Sequence, residues 1–229
     1  MTDPTTSHGS MLRMAADLVL RPAMAWDALA NAPLEMSRMW RHLLILGSIG
    51  PVALVLGSWL FNSQAIPIGQ VLPLAAGSPM HSAVSGYVFP LDFPLMAPPR
   101  SPGLLIAARS GLAFFAGQIV IMLLAAGVIW FCAPYCEGKR DARAALAVVI
   151  YGSTPLLLSG IGLVGISLSL LLAAGALHSC VVMQRGVRRL LGAPGSDASM
   201  LLGITVMALY VLIPLLGFAA AMLGVPLFG

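Results

Sequence analysis

The sequence predicts an all-α integral membrane protein: a five-helix transmembrane bundle preceded by N-terminal cytoplasmic amphipathic helices. Three observations carry that prediction. Of 229 residues 59% are hydrophobic and only 9% charged, with a mean hydropathy of +0.95. A soluble domain carries about 25% charged residues, so this chain cannot clothe a water-facing surface. Second, apolar runs of about 20 residues, the helical length that crosses a hydrocarbon core of roughly 30 Å, recur along the chain. Third, the basic residues gather at the ends of those runs, where they report topology. The net charge of +4 and pI near 9.3 are therefore read as membrane orientation, not as a nucleic-acid footprint.

Residues 1–10 are polar and are expected to be disordered. Residues 11–41 read as amphipathic helices. Arg13, Asp17 and Arg21 recur every four residues and share one stripe, with Met11, Met14 and Leu18 facing elsewhere. Pro22 suits the first turn of a second short helix, because a proline there gives up no hydrogen bond. Two readings stand equally: the helices lie in the headgroup region with Trp26 as an interfacial anchor, or they pack on the cytoplasmic ends of the bundle. The first long apolar run starts near His42, too far in for a signal peptide of the usual kind, so the first span is expected to remain as an anchor.

The membrane domain is expected over 42–223. Its spans are about 42–61 with Pro51 inside, 104–132, 144–163, 166–184 and 201–223 with Pro214 inside. Residues 144–184 are nearly continuous apolar sequence, but a single helix of that length is about 60 Å long, so two spans are assigned there. All of the 12 Lys and Arg except Arg100 and Arg109 fall on one side of this arrangement. The positive-inside rule then places the N-terminus in the cytoplasm and the tail 224–229 outside. The outer loop 62–103 is apolar yet broken by repeated prolines, which forbid a long helix and disfavour a sheet interior. It is expected to pack on the outer face of the bundle or dip into the interface, with a substrate lid as the functional alternative.

Few residues suggest chemistry. Ionisable groups in spans are costly and functional by default, but the spans carry very few, among them Arg109, near an end, and His178, with no mid-span Asp or Glu. That argues against a proton-coupled pump. Cys132, Cys136, His178 and Cys180 lie at similar predicted depth, yet match no standard metal-ligand spacing. No metal or cofactor is expected. Zinc-protease, serine-hydrolase and phosphate-loop motifs are absent from the sequence. Ser153 and Ser159 are expected to bond a carbonyl one turn back. Ala113 and Gly117, Gly217 and Ala221, and Ala220 and Gly224 have the spacing that lets helices approach closely, within the bundle or between copies. Tyr151, Gly152, Ser153, Thr154 and Pro155 form a candidate partner or hinge motif. Pro155 removes a donor and bends the helix, and the neighbouring hydroxyls satisfy the distorted backbone.

Leu20-Arg21-Pro22 with Trp26, Cys132-Ala133-Pro134 leading into Gly138-Lys139-Arg140-Asp141, Ala144-Ala145-Leu146 and Tyr151 to Pro155 occur in a telling order. Together they resemble the bacterial branch of the Yip family, the Ypt-interacting five-span membrane proteins, over residues 12–61 and 104–223. The resemblance implies five spans and a cytoplasmic N-terminus. For eukaryotic relatives it implies contacts with small membrane GTPases, vesicle traffic or membrane shaping. The chain departs from the family in its long outer loop and in His178-Ser179-Cys180, where tyrosine-rich sequence is the pattern.

The function expected is non-enzymatic: a scaffold or partner-binding subunit of the bacterial inner membrane. Its candidate membrane-surface contacts are Pro22, Trp26, Lys139, Arg140, Arg185, Arg188 and Arg189. The expected partners are the bilayer, with anionic lipids at the cytoplasmic face, an unidentified membrane or cytoplasmic protein, and a second copy of the chain. The alternatives are a small-solute transporter or channel around a polar cavity near Gln118, Thr154 and Pro155, and a metal-handling protein built on Cys132, Cys136, His178 and Cys180.

Overall fold

A computed structural model describes residues 4–60, 104–164 and 169–222, and every regular element among them is helical. The loop 62–103 and the tail 224–229 lie outside the described residues. Helices α1 (Pro4–Leu20) and α2 (Pro22–Ala30) precede the bundle. Span one is two helices, α3 (Met36–Gly47) and α4 (Ile49–Leu60); span two is α5 (Leu104–Cys132), closed by a 3-10 turn at Ala133–Cys136. Span three joins α6 (Ala142–Gly152), α7 (Thr154–Ser159) and a 3-10 turn at Gly160–Val164. Span four is α8 (Ser169–Gly186), which ends in a π turn at Val187–Leu191, and span five is α9 (Gly195–Met222). Five stretches are long and apolar enough to cross a membrane: Met36–Gly57, Ala107–Cys136, Ala142–Val164, Leu170–Leu191 and Gly195–Ile213.

Two boundaries differ from expectation. Helix α1 begins at Pro4, inside the stretch expected to be disordered, because a proline at the first helical position costs no hydrogen bond. Span one begins at Met36, ahead of His42. Arg38 and Arg41 look like the end of a polar segment, but in α3 they are exposed while Met39, His42, Leu43 and Leu46 are buried on the other face.

Span three is the centre of the bundle: 72% of its apolar window is buried, against 50% for span one and 22% or less for the others. Ala144 to Tyr151 are all buried, which explains why that run lacks amphipathic pattern. Its neighbours approach it through glycines. A Cβ on Gly160 would lie 2.8 Å from Gly50 Cα, and one on Gly57 would lie 2.6 Å from Val164 O, so spans one and three touch backbone to backbone. On span four, a Cβ on Gly175 would lie 2.9 Å from Pro155 O. The small residues singled out on span two are not used this way. Ala113 is exposed and a Cβ on Gly117 would meet nothing within 4 Å. The side chains of the Gly217–Ala221 pair, and Gly224 of the third pair, lie outside the described residues.

Candidate functional site: a basic face and a buried polar joint

The segments that carry the positive charge meet at one end of the bundle. After span two, Glu137 takes a left-handed conformation (φ 53°) and the Gly138 amide donates to Ala133 O at 2.8 Å, so the chain turns sharply. The Lys139 amide then donates to Leu191 O at 2.7 Å, fixing this connector against the π turn of span four. Asp141 starts α6: its Oδ1 accepts from the amides of Arg143 at 2.8 Å and Ala144 at 3.1 Å. Gly192, with φ 74°, ends the π turn in the backbone conformation that favours glycine. This framework leaves Lys139 and Arg140 of the connector, Arg188 and Arg189 of the π turn, and Arg143 and Arg185 in the adjoining helix ends exposed.

Helices α1 and α2 are docked against the same end. Arg189 Nε pairs with Asp27 Oδ1 at 2.8 Å, and His178 Nε2–H donates to Val19 O at 2.9 Å. Trp26 is 0% exposed; its Nε1–H donates to Val182 O at 2.8 Å and its ring fills the space left by Gly186. A Cβ on Gly186 would lie 2.6 Å from the Trp26 ring. Trp26 and Pro22, expected among the membrane-surface contacts, are both buried within the chain, which for Trp26 is the packing alternative. Trp26 has a polar tip with a carbonyl in reach and a recess shaped to its ring, so packing wins over the headgroup region. The exposed aromatic cluster is elsewhere, at the end of span two, where Trp130, Phe131 and Tyr135 are 36%, 55% and 74% exposed. Arg140 lies 4.4 Å over the Trp130 ring.

The Tyr151 to Pro155 motif lies deeper, wholly buried. Helix α6 stops at Gly152 and α7 starts at Thr154, so the helix is interrupted at Ser153. The local bonding follows from the missing Pro155 donor. Ser153 Oγ donates back to Ile150 O at 3.1 Å, and the Leu156 amide, left without a helical partner in the first turn of α7, donates to Ser179 Oγ of span four at 3.0 Å. Ser159 Oγ likewise bonds Leu156 O at 2.7 Å. Span one is interrupted in parallel at Ser48, three residues before Pro51, with Ser48 Oγ donating to Ile45 O at 2.8 Å.

One residue that sequence reasoning passed over joins the two. His42 is 1% exposed, its Nε2 lies 2.8 Å from Thr154 Oγ1, and its ring meets Tyr151 edge-on at 4.8 Å. Its Nδ1 is buried with no hydrogen-bond partner. The signal was present in the spacing Met39, His42, Leu43, Leu46, which puts the imidazole on the buried stripe of α3.

The remaining candidates do not converge. Cys136 is buried, Cys132 half-buried and Cys180 exposed, and His178 is engaged by Val19 O. Among the described residues no three His, Cys, Asp or Glu side chains come together as a metal group. Gln118 is half-buried, with Nε2 facing Gly47. Comparison of the chain with protein-family models, with curated proteins and with solved structures found no match in any of the three.

Proposed function

We propose that this chain is a non-enzymatic five-span protein of Yip type in the bacterial inner membrane, acting as a scaffold or partner-binding subunit through its basic, cytoplasmic face. The observation that carries this reading is the construction of that face. Lys139, Arg140, Arg143, Arg185 and Arg188 are exposed on two turns bonded to each other and on the helix ends beside them, and none of them is in an ion pair among the described residues. Mobile surface cations need no such framework; a fixed array presents a defined charge pattern to an acidic partner or to anionic headgroups, at about 1 kcal/mol per near-surface cation.

The test is photocrosslinking in native membranes from Lys139 and from Arg188. The reading expects one protein adduct common to both positions and lost when Arg140 and Arg185 are changed to Glu. Lipid adducts alone, or a protein adduct indifferent to charge reversal, would contradict the scaffold or partner-binding role. A second reading, a small-solute transporter or channel, draws support from the paired interruptions in spans one and three, since broken helices at membrane depth occur where a site is lined. Solute flux into proteoliposomes that is altered by Thr154→Val would favour it.

A further inference from the structure

His42 plays no part in the basic face, yet it occupies a position that two separate features of the bundle converge on. Spans one and three pack backbone to backbone at Gly50 and Gly160, just beyond the interruption of span one at Ser48 and past the Thr154–Ser159 helix that follows the interruption of span three. Each interruption is built the same way: a serine turned back on a carbonyl three residues earlier, and a proline just beyond. His42 belongs to α3, the half of span one nearer the basic end, while Thr154 opens α7, the far half of span three. Their hydrogen bond therefore runs diagonally across both interruptions. It ties one half of each span to the opposite half of the other.

We propose that His42 is a proton-responsive latch across these paired breaks. A neutral imidazole satisfies Thr154 Oγ1 through Nε2 whichever partner holds the proton. A second ring proton makes both nitrogens donors, and Nδ1 has no acceptor. The titratable side chains on the elements packed around the ring are few. Its own helix region carries Glu35, Arg38 and Arg41 on the exposed face; α6 carries the exposed Arg143 and the buried Tyr151; α5, which meets Gly47 through Phe115 and Gln118, carries Arg109 and Cys132; α4 and α7 carry none. Glu35 is engaged with Arg38 at 2.8 Å, so no free carboxylate among the described residues stands ready to receive a cation at position 42. A charged donor with no acceptor in an apolar interior is not sustained. The protonated ring swings toward water, the bond to Thr154 breaks, and the two spans pivot at Ser48 and Ser153.

Amide exchange of the full chain in lipid nanodiscs tests this, with rates corrected for intrinsic pH dependence. Between about pH 7.5 and about pH 4.5 the wild type is expected to open segments 45–52 and 150–157 about fivefold more readily, the scale of one lost buried hydrogen bond. His42→Gln keeps a neutral polar group and abolishes that pH step. Thr154→Val retains the histidine, loosens both segments at both pH values, and serves where the first variant does not fold. A wild type with no pH step, or a step that persists in His42→Gln or Thr154→Val, overturns the proposal.

Discussion

Replacing Trp26 by alanine should release helices α1 and α2 from the bundle while leaving the spans folded. The side chain is fully buried, its ring rests on Gly186, and its indole N–H holds Val182 O at 2.8 Å. Removing a fully buried tryptophan costs about 3–5 kcal/mol. The other ties from this pair of helices are the smaller buried side chains Ala15, Leu18, Ala25 and Leu29, an exposed ion pair and the bond from His178 to Val19 O, so Trp26 is the largest single contact. At about 1.4 kcal/mol per tenfold, the opening equilibrium of the docked helices rises by roughly two to three and a half orders of magnitude. Amide exchange over residues 11–30 reads this directly, with residues 144–151 as the internal control. Trp26→Phe keeps most of the packing and loses only the hydrogen bond, for about 1 kcal/mol. Gly186→Ala should resemble Trp26→Ala, because the new methyl would occupy the ring's place. Unchanged exchange over 11–30 in Trp26→Ala would show that these helices are not held by this contact.

Three further outcomes follow from the same geometry. Gly57→Ala drives a methyl into the carbonyls of Leu163 and Val164 and should lower stability by about 1–3 kcal/mol, whereas Gly117→Ala and Gly203→Ala, with open space around them, should stay within about 0.5 kcal/mol; thermal unfolding in detergent separates them. Asp141→Ala removes the acceptor of two amides at the start of α6 and should cost about 1 kcal/mol in the same assay. Asp27→Asn breaks an ion pair whose side chains are 46% and 58% exposed, so it should change exchange over 11–30 by no more than about fivefold, and by less in high salt.

The spans were legible because apolar length and basic ends are local properties. Span two, for example, runs over Leu104–Cys132, the range its hydropathy gives. The interruption at Tyr151 to Pro155 was legible for the same reason: a proline acts on the turn that precedes it. What could not be read was which distant residue each side chain meets. Trp26 has the sequence context of an interfacial anchor, and only Gly186 and the Val182 carbonyl, far along the chain, turn it inward. The close-packing glycines escaped for a related reason. Spacing of four within one helix selects Ala113 and Gly117, which face outward, while the contacts that matter pair Gly50 with Gly160 and Gly57 with Leu163 and Val164 across helices. His42 was hidden by its neighbours, since Arg38 and Arg41 make the segment look polar until the helical face is drawn.

The account rests on five crossings with the basic face on one side, and sidedness tests that most directly. Single cysteines at Lys139, Arg189 and Leu227, in a chain whose Cys132, Cys136 and Cys180 are replaced by alanine, can be probed with a membrane-impermeant maleimide in intact cells and after lysis. The account predicts that Lys139→Cys and Arg189→Cys react only after lysis and that Leu227→Cys reacts in intact cells. Labelling of Lys139→Cys and Leu227→Cys from the same side would contradict it.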